Sequence, residues 1–304
     1  MKQDLPIFPK FEKLSLGHKD LLQAIANNFP SSDFNFAGLF TWDIDDSVSV
    51  SSLNDNLVIC SADYLTHERF YSFIGNHKID ETIRSLMDFA KQNGESPTLR
   101  LIPETVAQNI QQTTEYSVNE DRDNHDYIYA VSDWAQLKDG KFANKRRVLN
   151  KFLREHGGAV TEKELDLTDT QVQRDIESVV TRWAESRGKQ PDDVADELIA
   201  IKKALEHHRV LSLRAFGVYH DSQLIAFTIF EVLPGEVAIG HFEKADAHFE
   251  GVFVYLKHVH AKYLAGAGVR FINTEQDLGI EGQRKSKESL HPAAYIKKYT
   301  IERK

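Results

Sequence analysis

Apolar positions recur along this chain with two periods, and the switches between them mark its elements. From Asp80 to Gln92, the residues Ile83, Leu86, Met87 and Ala90 fall three and four positions apart, which predicts an amphipathic helix closed by Asn93-Gly94. A shorter helix is expected around Lys19 to Asn28. Val48-Ser-Val-Ser and Leu57-Val-Ile-Cys60 read as strands joined through the turn signal Asn54-Asp-Asn. Arg69 to Ile74 and Thr98 to Ile102 read as further strands, the second stopped by Pro103. The first half is thus helix, strands, helix, strand.

The second half repeats that order. Val172, Ile176, Val179, Val180 and Trp183 lie on one face of a helix ending at Gly188, and Val194 to His207 forms another. Leu211, Leu213 and Ala215 alternate with polar residues, as in a half-buried strand. His220-Asp-Ser turns into the apolar run Leu224 to Phe230, which suits a central strand, and Pro234-Gly235 turns the chain into Val237 to Phe242. Gly251 to Leu264 is an amphipathic helix, with Val252, Leu256, Val259 and Tyr263 on one face and Gly266-Ala-Gly268 at its end. Val269 then opens a last apolar strand. Two like-ordered halves point to two α/β (α+β) domains, 1–135 and 136–304, each a central mixed β-sheet flanked by helices. The join falls between about Asp126 and Gly140, where Tyr127-Ile-Tyr-Ala-Val131 is a candidate shared strand.

Composition sharpens this picture. The chain has 304 residues, 41% hydrophobic and 27% charged, so packed cores are expected and disorder is not. No apolar run is long enough to span a bilayer, which limits any membrane contact to a peripheral one. The Met1-Lys-Gln-Asp-Leu-Pro start lacks the apolar core of a signal peptide, so a cytoplasmic location is the expectation. A lone Cys60 excludes an intrachain disulfide, and no metal site is expected. The net charge of −9 excludes a globally basic nucleic-acid binder, but the segment from Lys141 to Arg154 holds six Lys or Arg and no acid.

On a helical wheel, Phe142, Leu149, Phe152 and Leu153 of that segment share a face, with Arg147, Lys151 and Arg154 opposite them. Lys145 and Arg146 project within or beside the apolar stripe. A charge directed at a core needs a partner or a cavity, so these two are candidates for lining a cleft and holding a phosphate or carboxylate. The second candidate is the stretch Asn273 to Lys287, expected as a loop at a strand's carboxyl end. Asn273, Glu275 and Asp277 alternate and would face one side of an extended backbone. Gly279 and Gly282 permit a turn, and Arg284, Lys285 and Lys287 follow. These residues could place acids for an amino group beside bases for phosphates. Glu243, just before the Gly251 helix, is a further carboxylate near a helix N-terminus that favours anions. The closely spaced glycines of an acetyl-CoA signature are missing there, apart from Gly251. His258 and His260, two apart on a helix, cannot face one metal. Gly266-x-Gly268 sits after a helix, the reverse of a dinucleotide-binding turn.

The basic helix Lys141-Phe-Ala-Asn-Lys-Arg-Arg-Val-Leu-Asn-Lys-Phe152 carries one part of a resemblance. The other part is the block from Glu243 through Asn273-Thr-Glu-Gln-Asp-Leu-Gly279 and Arg284-Lys-Ser-Lys287 to His291-Pro292 and Lys297-Lys-Tyr299. Together they resemble stand-alone members of the phosphatidylglycerol lysyltransferase C-terminal family. The resemblance implies tandem acetyltransferase-like (GNAT-like) domains and acyl transfer, most simply of an aminoacyl group from aminoacyl-tRNA to a lipid headgroup or other small acceptor. Glu243, Glu275 or Asp277 would then supply the base or positioning carboxylate. Lys145, Arg146, Arg284, Lys285 and Lys287 would hold phosphate or substrate, with Asn273 beside them. An acyl-CoA-dependent N-acyltransferase and a non-catalytic binder of a phosphorylated ligand are the alternatives, and no intrinsic cofactor is implied.

Overall fold

The computed structural model describes residues 5–29, 31–111 and 114–304, so the first four residues of the amino-terminal stretch lie outside it. Its strands, in chain order, are β1 (Glu12–Lys13), β2 (Ser49–Leu53), β3 (Asn56–Ala62), β4 (Arg69–Ile74), β5 (Thr98–Pro103), β6 (Tyr116–Glu120), β7 (Asp126–Ala130), β8 (Val160–Leu165), β9 (Arg214–His220), β10 (Gln223–Leu233), β11 (Val237–Ala245), β12 (Phe271–Asn273), β13 (Ala294–Ile296) and β14 (Lys298–Arg303). Its α-helices are α1 (Lys19–Ala26), α2 (Phe36–Trp42), α3 (Ile79–Gln92), α4 (Glu104–Ala107), α5 (Val131–Gln136), α6 (Ala143–His156), α7 (Thr170–Ser186), α8 (Ala195–Glu206), α9 (His208–Leu211), α10 (Val252–Gly266) and α11 (Glu281–Glu288). The chain divides into two compact units. One comprises Met1–Asp126, Gln276–Lys287 and Tyr295–Lys304; the other comprises Tyr127–Glu275 and Glu288–Ala294.

The first unit is built on a seven-stranded sheet of order β1-β2-β3-β4-β5-β14-β6. Asn54 and Asp55, both with left-handed φ of 53° and 61°, make the tight β2–β3 hairpin that their residue types favour. β4 and β5 run parallel, and α3 bridges them. Its stripe of Ile79, Ile83, Leu86, Met87 and Ala90 is buried against Val58, Tyr71, Phe73 and Leu99. Asp80 and Glu81 in its first turn suit the helix dipole, and Gly94 with φ 74° follows its end.

The second unit carries a seven-stranded sheet of order β13-β7-β12-β11-β10-β9-β8. Again one parallel pair, β11 and β12, is joined through a helix, here α10, while β10 runs antiparallel to β9 and β11, β8 to β9 and β7 to β12. β10 is central, and Leu224 to Phe230 is buried along its whole length. Each such large apolar side chain contributes about 1.5–3 kcal/mol by leaving water. Alternate residues of β11 address opposite faces: Glu243 pairs with Lys257 of α10, whereas Lys244 pairs with Glu197 of α8 and lies 4.5 Å over the Trp183 ring of α7. Each unit therefore has antiparallel strands followed by one β-α-β crossover, as expected of two GNAT-like halves.

Several local expectations are corrected. The strand expected from Leu211 begins at Arg214, because α9 and the left-handed Ser212 (φ 59°) precede it. Leu153, placed on the apolar face of the basic helix, is 41% exposed. The first unit closes at Asp126 instead of near 135 and takes back the chain's last strand, β14, between β5 and β6. The stretch after Asn273 does not stay extended: Glu275 has φ 60°, and Glu281–Glu288 is helical, with no buried residue to signal it.

Candidate functional site

In the second unit, the parallel pairing of β11 and β12 stops at Ile239↔Asn273, while β11 continues to Ala245. The edge of β11 beyond Ile239 thus loses its β12 neighbour. At the same point the pairing with β10 slips, from Ile229↔Phe242 to Phe230↔Gly240, and leaves His241 as the extra residue of a bulge. A bulge re-aims its side chain. The His241 ring lies between two carboxylates, with Nε2 3.2 Å from Glu231 Oε1 and Nδ1 3.0 Å from Glu275 Oε1.

The His241 side chain is 1% exposed, Glu231 8% and Glu275 22%, so Glu275 is the accessible edge of the cluster. Burial opposes charge on the ring, but hydrogen bonds to Glu231 and Glu275, and their charges, prevail and raise the His241 pKa to about 9. Near neutral pH the cluster is an imidazolium between two carboxylates, with one net negative charge. Glu275 is held in its left-handed conformation from both sides of its peptide. Its N–H donates to Asn273 Oδ1 at 2.7 Å, and its carbonyl accepts from Tyr127 N–H at 3.2 Å. The buried Asn273 is thereby a clamp on Glu275. Glu243 is tied to Lys257.

The N-terminus of α10 is covered. Gly251 has φ 98°, and a Cβ there would lie 3.0 Å from Phe152 Cβ and 3.2 Å from Val148 Cγ1, both on α6. Glu250, paired with Lys151, adds its own negative charge at this helix end. Leu149 and Phe152 of α6, and Phe142 at its N-cap, are buried as predicted. The adjacent bases have particular roles. Arg146 Nη1 donates to the carbonyls of Leu137 and Asp139, closing the end of α5, so its guanidinium ties backbone together where an anion contact was expected. Arg147 is exposed beside Asn144. Lys145 is half-buried, with its Nζ 3.2 Å from Ser289 Oγ, and burial lowers its pKa.

In the first unit, Asp277 and Arg284 do come together. Arg284 Nε reaches Asp277 Oδ2 at 3.0 Å and Nη2 reaches Oδ1 at 2.8 Å, a bidentate pair, and Nη2 also meets Asp123 at 2.6 Å. Asp277 is fully buried, with Arg122 at 3.4 Å and the Gly279 N–H donating to it at 2.9 Å. The hydrogen bonds to Asp277 and Asp123 raise the Arg284 pKa and keep it charged. Lys285 makes an exposed pair with Glu281, and Lys287 is half-buried.

This unit also holds a cluster that the sequence reading missed. Lys298 is fully buried between Asp126 at 2.6 Å and Asp33 at 2.5 Å. Ser32 donates its N–H and hydroxyl to Asp126 at 2.8 and 2.7 Å, and Gln276 joins through Ser32 and Asp33. Periodicity could not reveal Lys298, because the β14–β5 register shifts between Tyr299 and Ile301. Glu231 did leave a signal: it is an acid inside the apolar run of β10 and so requires a partner.

The sequence profile described as "Phosphatidylglycerol lysyltransferase, C-terminal" matches residues 27–302. No curated protein matches the chain in sequence. A conserved protein of unknown function from Bacteroides thetaiotaomicron VPI-5482 is similar in structure with a TM-score of 0.82 at 24% identity, covering 97% of this chain and 99% of the other. The C-terminal DUF2156 domain of a putative lysylphosphatidylglycerol synthetase from Agrobacterium fabrum is similar with a TM-score of 0.63 at 14% identity, covering 94% and 92%. L-PGS from Bacillus licheniformis is similar with a TM-score of 0.62 at 12% identity, covering 99% and 94%.

Proposed function

The chain belongs to the phosphatidylglycerol lysyltransferase C-terminal family, and from that premise we propose that it transfers an aminoacyl group from aminoacyl-tRNA to a lipid headgroup or another small acceptor. The observation that carries this reading is the Glu231–His241–Glu275 cluster where β11 and β12 part. Its single excess negative charge suits the ammonium group of an aminoacyl ester. Glu275, the accessible carboxylate, has one oxygen fixed by His241. It orients that ammonium, and with it the ester carbonyl, as the carbonyl is attacked and the tRNA terminal hydroxyl departs. An aminoacyl ester is already activated, so positioning supplies much of the rate.

Of the other acids, Glu243 is neutralised by Lys257 and Asp277 by Arg284, which makes them supporting groups. In the first unit, Arg284 is held by Asp277 through Nε and Nη2, and together with Lys287 it is the proposed phosphate contact. The covered N-terminus of α10, with Glu250 beside it, disfavours an acyl-CoA donor whose pyrophosphate would seek such a helix end. Filter binding tests the choice of donor. Charged tRNA should bind with an affinity that falls steeply as salt rises, and acetyl-CoA should not compete. Binding of acetyl-CoA without tRNA binding would replace this reading with the CoA-dependent one.

A further inference from the structure

We propose that Lys145 and Ser289 form a serine–lysine dyad, in which Ser289 takes an acyl group from an activated ester and holds it as an acyl-serine before the acceptor removes it. The reaction rests on the acyl-transfer reading only for its natural donor, an aminoacyl ester. The geometry stands apart from that reading. Lys145 Nζ lies 3.2 Å from Ser289 Oγ, within reach of a proton transfer. Among the described residues Lys145 makes no ion pair, unlike Lys141 and Lys151 on the same segment, which meet Asp133 and Glu250.

Lys145 stands in the first turn of α6, where the positive end of the helix dipole opposes an ammonium. Burial lowers the Lys145 pKa, in the direction of the neutral amine that a general base requires. Ser289 is exposed but held firmly. The next residue's carbonyl, Leu290, accepts from Trp134 Nε1–H at 3.2 Å, and the His291 ring stands edge-on to Phe142 at 5.2 Å and 86°. Buried anchors beside a solvent-exposed serine suit a nucleophile that must meet a large donor.

In the step, Ser289 Oγ bonds to the ester carbonyl carbon while Lys145 Nζ takes the hydroxyl proton. The tetrahedral adduct collapses, the bond to the donor alcohol breaks, and Lys145 returns the proton to that alcohol. The acceptor hydroxyl or amine then attacks the acyl-serine, gives its proton to Lys145, and Oγ leaves with that proton.

The test uses p-nitrophenyl acetate on the full chain, read by intact mass and peptide mapping. One acetyl group is expected, on Ser289. Ser289→Ala should abolish it and Lys145→Met should slow it by on the order of 100-fold, while Arg147→Ala should leave it unchanged. Circular dichroism of each variant establishes that it is folded. Acetylation on Lys145 itself, acetylation elsewhere with Ser289 unmodified, or no acetylation would each overturn the dyad. Undiminished aminoacyl transfer by Ser289→Ala would reject the acyl-serine and leave the proposed transfer standing. Acetylation of Ser289 without any transfer from charged tRNA would support the dyad and reject that donor.

Discussion

Replacing Lys298 with Met should unfold the first unit far more readily than a change at one strand position suggests. Methionine keeps most of the volume and the unbranched stem, so packing changes little. What is lost is the buried cation that lies against two buried carboxylates, Asp126 at 2.6 Å and Asp33 at 2.5 Å. Breaking a buried pair by removing one partner costs about 3–5 kcal/mol, a large fraction of the roughly 5–15 kcal/mol that holds a domain together.

The loss should depend on pH. Burial already raises the Asp33 pKa, with Lys298 opposing and Asp126 adding to that effect. Without Lys298 the carboxyl relieves its situation by taking a proton. An acid with a raised folded pKa destabilises as pH climbs from the ordinary carboxylate range through that raised value, so Lys298→Met should lose less near pH 5 than near pH 8. Urea unfolding gives the total change, and hydrogen exchange by mass spectrometry over 98–103 and 298–303 assigns it to this unit. Adding Asp126→Asn should restore part of the loss. A variant with wild-type protection in both segments, or one that the second substitution does not rescue, would refute the view that this cluster is a charge-balanced core.

The second unit should lose on the order of 3 kcal/mol between pH 6.5 and 9, because His241 titrates at about 9 when folded and its charge stabilises the fold below its ordinary 6.5. His241→Asn should flatten that part of a pH–stability curve. Gly251→Ala forces an L residue to φ 98° with its Cβ 3.0 Å from Phe152, and should cost about 1–3 kcal/mol by thermal unfolding. Arg284→Ala strips the bidentate partner from the buried Asp277 and should lower stability by roughly 3 kcal/mol as well as weakening phosphate binding. Equal melting curves for Arg284→Ala and wild type would show that Arg122 suffices for Asp277.

Much of this architecture was legible where one face of an element is buried. The α3 stripe, the Asn54-Asp55 hairpin and the apolar run of β10 each appear in the structure as their periods indicate. Elements with little buried surface left no such trace. β8 is an edge strand whose Thr161 to Glu164 are exposed, and α11 buries nothing. β14 carries a buried lysine where a pattern reader expects an apolar residue. At the candidate site, the pairing of Asp277 with Arg284 follows from acids and bases close in sequence. The Glu231–His241–Glu275 cluster does not, because a bulge, invisible to a period of two, turns His241. Arg146 beside an apolar stripe needs partners, and backbone carbonyls meet that need as well as a ligand does.

The central claim is tested most directly by incubating the protein with charged tRNA, labelled in its amino acid, and vesicles containing an anionic phospholipid, then following the label into the lipid fraction. The wild-type protein should transfer the label, and Glu275→Gln should fall by on the order of 100-fold or more at unchanged circular dichroism. No activity is expected when acetyl-CoA replaces the tRNA donor. Full transfer by Glu275→Gln would contradict the role given to the cluster at the β11–β12 divergence, and no transfer to any lipid or small amine or hydroxyl acceptor from any charged tRNA would contradict the proposed function itself.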